Sequence, residues 1–511
     1  MYLELDGEGA LYAQLARALR RAIRRGQLRP GVALPPTREL AAQLGLARNT
    51  VVAAYELLCD ERLAVARVGA GTFVAGERAG AGRGATARAA SAVSAGTQGS
   101  PYASASASAS APVPVPLHES RAALPPASRY ATRLRDLPPL VLARRDPALR
   151  YDMRYGEPLV DPVLVTAWRR ELSRAATRVD WRYPPAAGTH ELREAIAEYV
   201  ARRRGVVCSA GDVVVVGGTQ QAVALLARVL LDEGATVAVE DPGYELALHA
   251  LQAHGARLVP VPVDGEGLQV SRLPRRGVRL ALVSPSHQFP SGAVMSLPRR
   301  AALLEWAAQC GAWIVEDDYD GEFRYDGALM PALRSLDPHG RVIYVGTFSK
   351  VLFPGLRLGY VVCPPGWRDD LAAAKQLDDL GCGSVEQAAL AGLMGSGAFD
   401  RHLRHASAEL RRRRHALLDG LRTHCGDRIL VHDSRAGMHM VGWLPRASAA
   451  QVDALVARAA ERGLGLHPIA PHYRLKPAPD GLLLGYAALS VKQLRAASAL
   501  LGECLDEVMP G

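Results

Sequence analysis

Primary amines are scarce in this chain. Of its 61 basic residues only four are lysines, Lys350, Lys375, Lys476 and Lys492, and 57 are arginines. A reaction that needs an amine has these four side chains and the α-amino group to draw on. Lys350 stands in "GTFSKVLFPGLRLGY" (346–360), where Thr347, Ser349 and Arg357 are of the types that donate hydrogen bonds to a phosphate. "WIVEDDYDGEFRY" (313–325) places acids at the end of an apolar run. There Asp317 can keep a ring nitrogen protonated, and Tyr319 can donate to a phenolic oxygen. "VVVVGGTQQAVALL" (213–226) ends an apolar run on two glycines and begins a helical pattern. The backbone N–H groups of Gly218, Thr219 and Gln220 then face an anion at a helix N-terminus. "VEDPGYE" (239–245) supplies Tyr244 for ring stacking, and "SPSHQFPSG" (284–292) offers His287 or Gln288 to a ring face. An amine, a carboxylate, an aromatic and a phosphate cradle are together what pyridoxal 5′-phosphate (PLP) requires, with Lys350 forming the Schiff base. Each feature has a plainer reading by itself. A lone lysine is usually solvated, and Glu316, Asp317 and Asp318 could simply end a strand and cap the next element.

These residues need a frame. "DVVVVGG" (212–218), "TVAVEDPG" (236–243), "LALVSPS" (280–286), "AWIVEDD" (312–318) and "VIYVGTFS" (342–349) are short apolar runs separated by helical patterns. Such alternation predicts an α/β fold with a parallel sheet covered on both faces, its ligands lying beyond the carboxyl ends of the strands. The polar motifs above occupy those ends.

A chain of 511 residues exceeds one core. Residues 1–76 form one module and 141–511 another. Between them, 77–140 contains "ASASASASA" (103–111) and "PVPVP" (112–116), a composition that reads as a flexible linker with a stiffer Pro-rich stretch. In the first module "LYAQLARALRRAIRRG" repeats Leu11, Leu15, Leu19 and Ile23 on one face and ends at Gly26. "LPPTRELAAQLGLARNTVVAAYELL" (34–58) gives two helices joined around Gly45, with Thr37 as N-cap of the first. "LAVARVGAGTFVA" (63–75) is a hairpin with a Gly-rich tip that includes Gly71. Helix, helix-turn-helix, hairpin is the order of a winged helix-turn-helix. Arg48, Asn49 and Thr50, at the N-terminus of the second turn helix, are placed to reach base edges, and Arg38 and Arg67 to reach phosphates.

The stretch from Leu11 to Leu63 resembles the winged-helix domain of GntR-family transcription regulators. From about 150 onward the chain resembles the fold-type-I PLP-dependent aminotransferases. The combination is similar to the MocR/GabR-type regulators, which join these two domains through a long linker. The resemblance implies that Lys350 carries PLP, that Asp317 and Tyr319 serve its ring, that Arg357 holds its phosphate and that Tyr244 stacks on it. Tyr183 of "YPPAAG" resembles a tyrosine that reaches the phosphate of the neighbouring subunit, which implies a head-to-tail homodimer with shared sites. One departure stands out. Aminotransferases hold a substrate carboxylate with an arginine near the C-terminus, where "GLLLGYAAL" (481–489) has Leu483; Arg474 and Arg435 are the nearby alternatives.

The expected function is a transcription regulator that binds a double-stranded DNA operator and senses a small amine, an amino acid or PLP by exchange at the Lys350 Schiff base. The alternatives are an active class I/II aminotransferase with an appended DNA-binding domain, and an architectural DNA binder with a vestigial cofactor domain. A net charge of +10 is compatible with nucleic-acid binding. The basic run "RHLRHASAELRRRRHALL" (401–418) reads as a solvated helix face, or else as an accessory DNA contact. Seven widely spaced cysteines suggest neither disulfides nor zinc, and the histidines show no metal-ligand spacing. No apolar run spans a membrane, and the acidic N-terminus is unlike a signal peptide, so a cytoplasmic location is expected.

Overall fold

A computed structural model describes residues 6–24, 28, 30–67, 71–75, 126–138, 146–325, 330–364, 366–432, 435–476 and 480–509. The chain divides into two compact units, Met1–His118 and Glu119–Gly511.

The N-terminal unit consists of α1 (Leu11–Arg24), α2 (Thr37–Leu44), α3 (Arg48–Asp60) and the antiparallel hairpin β1 (Ala64–Arg67) and β2 (Gly71–Val74). Its core joins Leu15 and Leu19 of α1, Leu40 of α2, Val51, Ala54 and Leu58 of α3, and Ala64 and Val74 of the hairpin. The turn between α2 and α3 closes on Gly45, in the left-handed region at φ 64°, whose N–H donates to the Ala41 carbonyl. Tyr55 Oη donates to the Pro35 carbonyl at 2.8 Å and ties α3 to the entry of α2.

Two local expectations are corrected. The strict four-residue spacing of α1 drifts against a 3.6-residue turn, so Leu11 is exposed and Gln14 is buried beside Leu15. Thr37 is not an N-cap: α2 begins at Thr37 itself, with Pro36 at the cap position and no side-chain capping bond. The Thr37 hydroxyl instead lies 3.5 Å from Arg48 Nε. The end of the first helical pattern at Gly26 and the hairpin tip at 68–70 lie outside the described residues.

The second unit opens with α4 (Arg129–Asp136). This helix falls inside the stretch read as linker, 77–140, of which residues 77–125 and 139–140 lie outside the described ones. Ser128 caps α4 by accepting from Ala131 N–H, and Arg133 pairs with Glu233. Then follow β3 (Tyr151–Asp152), α5 (Pro162–Arg178), α6 (His190–Arg204), β4 (Val213–Val216), α7 (Thr219–Leu230), β5 (Thr236–Asp241), α8 (Glu245–His254), β6 (Arg257–Asp264), β7 (Gly267–Leu268), β8 (Val278–Val283), α9 (Leu297–Cys310), β9 (Trp313–Asp318), β10 (Val342–Thr347) and β11 (Gly359–Val362). The C-terminal part contains α10 (Arg368–Asp379), α11 (Ser384–Gly395), α12 (Ala398–His424), β12 (Leu430–Val431), β13 (His439–Trp443), α13 (Ala449–Glu461), β14 (Leu464–Gly465), β15 (His467–Pro468), β16 (Gly481–Gly485) and α14 (Val491–Val508).

Eight strands form the large sheet in the order β4-β11-β10-β9-β8-β5-β6-β7. All five apolar runs named above are strands in it, and they are buried on both faces. The sheet is mixed rather than wholly parallel. β11 runs antiparallel to both β10 and β4, because the loop carrying Lys350 and Arg357 turns the chain straight back instead of crossing over through a helix. Close packing at this reversal demands glycine: a Cβ on Gly346 would lie 2.3 Å from the Tyr360 ring. A second, antiparallel sheet, β12-β13-β16-β15, packs with the C-terminal helices.

Candidate cofactor site and DNA-binding unit

Strand register brings the site residues to one end of the large sheet. Val345 pairs with Asp317 across β10 and β9, Thr347 with Gly359 across β10 and β11, and Gly359 with Val216 across β11 and β4. The carboxyl ends of β4, β9 and β10 therefore meet where β11 begins. Lys350 lies three residues beyond β10. Its Nζ donates to the Gly156 carbonyl at 2.8 Å, and Gly156 takes φ 79°, in the region that favours glycine. Burial lowers the Lys350 pKa, against the raising effect of Asp320 and Asp317.

The three acids that end β9 divide the work, because successive side chains point to opposite faces. Glu316 accepts from the backbone N–H groups of Leu333 and Arg334 at 2.8 and 2.9 Å, so this one does cap the next element. Asp318 forms a buried ion pair with Arg204 at 2.6 Å and accepts from Tyr344 Oη. Asp317 faces the other way, towards α7, with Thr219 Oγ1 at 3.4 Å. Burial first, then the charge of Asp318, raises its pKa from 3.8 to about 7. A buried carboxylate with this little hydrogen-bonding support is suited to a cationic partner, and a protonated pyridine nitrogen supplies one.

The phosphate cradle is equally concrete. Gly218 takes φ 102° as the N-cap of α7, and the N–H groups of Gly218, Thr219 and Gln220 have no intrahelical acceptor. Arg357, in the left-handed region at φ 52°, donates from Nη2 to the Gly217 carbonyl at 2.5 Å. Its guanidinium lies 3.4–3.6 Å from where a Gly218 Cβ would stand. A side chain at 218 would fill the space in which an anion meets both the helix N-terminus and the arginine. Thr347 and Ser349 are buried alongside, with Thr347 Oγ1 accepting from Ser349 N–H at 3.2 Å. These residues fit PLP.

The aromatic residues complete the ring end. Tyr244, the N-cap of α8, packs edge-on against Phe289 with centroids 5.8 Å apart, close enough to Asp317 and Arg357 to feel their charges. Gln288 is taken up elsewhere: its amide donates to Glu240 and Pro242, and its oxygen accepts from Ser291. His287 lies behind Tyr319, with Nδ1 at 3.0 Å from the Tyr319 hydroxyl and 3.0–3.1 Å from Asp320. Tyr183 is 84% exposed and Trp181 beside it 78% exposed.

Sequence reasoning missed several members. Asp320 was inside a quoted motif but unassigned, and His439 carried no signal of its own. Among the described residues, His287, Asp320 and His439 bring ligand-type atoms within 4.8 Å of one another. Arg204, at the end of α6, is 1% exposed and orders the β9 terminus through Asp318 and Ser286. Leu483 is fully buried in an apolar cluster with Val441 and Ile469. Arg474 is engaged by Gln252 at 3.0 Å and Glu245 at 3.5 Å. The basic run on α12 is more than a solvated face: His402 Nε2 donates to the Val351 carbonyl at 2.8 Å, directly beside the Lys350 position.

In the N-terminal unit Arg38, Arg48 and Asn49 are exposed, and Thr50 is half-buried at the start of α3. Arg67 lies 4.7 Å over the Phe73 ring, and Gly71 takes φ 102° at the start of β2.

Residues 11–74 match the family of bacterial regulatory proteins of the gntR family, and residues 152–476 match aminotransferase class I and II. The probable rhizopine catabolism regulatory protein MocR of Rhizobium meliloti is 35% identical over 501 residues, covering 97% of this chain and 94% of that protein. The HTH-type pyridoxine biosynthesis transcriptional regulator PdxR of Corynebacterium glutamicum is 30% identical over 499 residues, covering 96% and 95%. The structure of Pyrococcus horikoshii kynurenine aminotransferase, in complex with PMP and with kynurenine as substrate, superposes with a TM-score of 0.64 at 28% identity, over 69% of this chain and 90% of that one. A winged helix and a PLP-binding aminotransferase fold in one chain define a DNA-binding transcriptional regulator that uses pyridoxal phosphate. The chain belongs to the MocR/GabR-type regulators. Among the described residues no helix is long and apolar enough to cross a membrane.

Proposed function

We propose that this regulator senses a small amine, an amino acid or PLP itself through Lys350, and that release of Lys350 changes how the protein holds its operator. The carrying observation is the state of Lys350: a half-buried amine on the Gly156 carbonyl, with its pKa lowered by desolvation. A lowered pKa raises the share of the amine that is unprotonated and nucleophilic. When bound, PLP supplies an aldehyde that condenses with amines. Asp317 would hold the ring nitrogen, Gly218, Thr219, Gln220, Thr347, Ser349 and Arg357 would hold the phosphate, and Tyr244 would pack on the ring. Lys350, once released, would have to find new partners for its ammonium, which would provide the differential interaction a switch needs. The exposed Tyr183 serves the phosphate of a second copy in a head-to-tail homodimer. Arg38 and Arg67 hold operator phosphates, Arg48, Asn49 and Thr50 read base edges, and Gly71 lets the wing approach the duplex. We place the protein in the cytoplasm, where its operator is.

The test is operator affinity measured on the cofactor-free form, the PLP form and the amine-treated form at one salt concentration. A several-fold difference between forms is expected; equal affinities would sink the sensing reading. The second reading, a working aminotransferase, is favoured by the complete cofactor set and opposed by Leu483, which offers a carboxylate no charge. Rapid keto-acid production from a panel of amino donors would establish it.

A further inference from the structure

Behind Tyr319 lies a pair that the cofactor set does not require. His287 and Asp320 are each 1% exposed in their side chains, with Nδ1 3.0 Å from the carboxylate. The same Nδ1 lies 3.0 Å from the Tyr319 hydroxyl. A buried carboxylate facing Nδ1 requires a proton on that nitrogen, so the imidazole is the Nδ1–H tautomer or the imidazolium. That N–H is shared between Asp320 and Tyr319, and the tyrosine oxygen is the acceptor in the contact. The Tyr319 proton must then point away from His287. Gly437 packs against the ring so closely that a Cβ there would sit 1.9 Å from Cε1. Gly437 is itself held by Tyr325 Oη and Tyr486 Oη on its carbonyl, at 2.7 and 2.5 Å.

We propose that His287 and Asp320 are positioning residues that aim the Tyr319 hydroxyl proton at the cofactor's phenolic oxygen and so set how readily the Lys350 Schiff base takes up a proton. A donor fixed on that oxygen stabilises its anion, which is the form present when the Schiff base is unprotonated. Without the imidazole, the hydroxyl is free to turn to the Asp320 carboxylate instead. The donor to the cofactor is lost and the Schiff base holds its proton to higher pH. Other charged groups face the same atoms: Asp317, Asp318 and Glu240 towards Tyr319, Glu157 and Arg357 towards Lys350, and His439 towards His287. Burial first, then the neighbouring His287, lowers the His439 pKa to about 4, against the raising effects of Asp320 and of its bond to the Pro290 carbonyl at 3.1 Å. The inference rests on Lys350 carrying PLP.

The experiment is a pH titration of the visible absorbance of the full-length, PLP-loaded protein. His287→Gln places its amide where Nε2 stands and loses the contact with Asp320; His287→Asn keeps an N–H at the Nδ1 position. His287→Gln should raise the midpoint by about one pH unit, and His287→Asn should leave it near that of the unaltered protein. Tyr319→Phe should raise it at least as far, with no further rise when His287→Gln is added. An unchanged midpoint in His287→Gln, or full additivity with Tyr319→Phe, would overturn the proposal. So would an equivalent of zinc or another transition metal in the purified protein that His287→Gln removes, since His287, Asp320 and His439 would then serve the metal. If His287→Gln does not load PLP, His287→Leu with the same His287→Asn control decides the question. Failure of the underlying reading looks different: the visible band would then persist in Lys350→Ala.

Discussion

Arg38, Arg48 and Asn49 of the N-terminal unit stand in solvent, whereas Asp317, Asp320 and His287 of the C-terminal unit are between 1 and 6% exposed. In the proposed reading the first set meets a ligand that brings its own charge and counterions, so its side chains stay hydrated until DNA arrives, and their contribution is salt-dependent. The second set acts by being dry. Burial raises the pKa of Asp317 to about 7 and lowers that of Lys350, so both groups lie closer to the pH at which their protons can be exchanged. In that reading one chain uses exposed charge for recognition and buried charge for chemistry.

The contrast can be broken most directly at Lys350. Lys350→Ala should abolish the visible absorbance of the bound cofactor entirely and shift operator affinity several-fold, as release of Lys350 does; absorbance spectra and a gel-shift titration at one salt concentration check the two halves. Next in size is Asp317→Asn, which should act in opposite directions on affinity and stability. PLP affinity should fall on the order of 100-fold, as expected for loss of a buried charge-assisted bond. The cofactor-free protein should gain stability near pH 8. In that form the folded state keeps the Asp317 proton longer than the unfolded chain does. Stability is therefore full below about 4, declines as pH rises towards about 7 and is lowest above it. Asn carries no such penalty, and a gain of ~1 kcal/mol in urea unfolding is expected, absent at pH 4. A uniform effect across pH would show that burial does not govern this acid.

In the N-terminal unit, Arg38→Ala should weaken all duplexes alike and reduce the salt slope of binding by about 1. Arg48→Ala should narrow the gap between the operator and a mutated site by ~1–3 kcal/mol. Neither should move the cofactor spectrum. The smallest effect is expected at Gly71→Ala, where φ is 102° and no atom lies within 4 Å of the new Cβ. Only backbone strain acts there, costing ~1 kcal/mol in the thermal unfolding of this unit.

The motif around Lys350 was legible because its chemistry is local: a strand, a Gly-rich return and an arginine eleven residues or fewer away can be read in one string. The helix N-terminus at Gly218 and the β9 acids were legible for the same reason, since the glycines and the apolar run before them dictate the turn. The length of the first helix face was not, because a four-residue repeat slips against the helical turn, as Leu11 and Gln14 show. Nor was the helix Arg129–Asp136, whose polar sequence gains its partners from Glu233 and the Ala253 carbonyl on distant segments.

What the sequence by itself determined is the pairing of a winged helix with a PLP-binding fold and the position of Lys350 just beyond a strand, because both depend on short strings whose spacing dictates backbone geometry. Only the tertiary structure decided which of the three β9 acids faces α7, that β11 runs against its neighbours, and that His287, Asp320 and Tyr319 meet at one nitrogen. Those outcomes depend on strand register and on which face each side chain takes, and a shift of one residue would exchange them all.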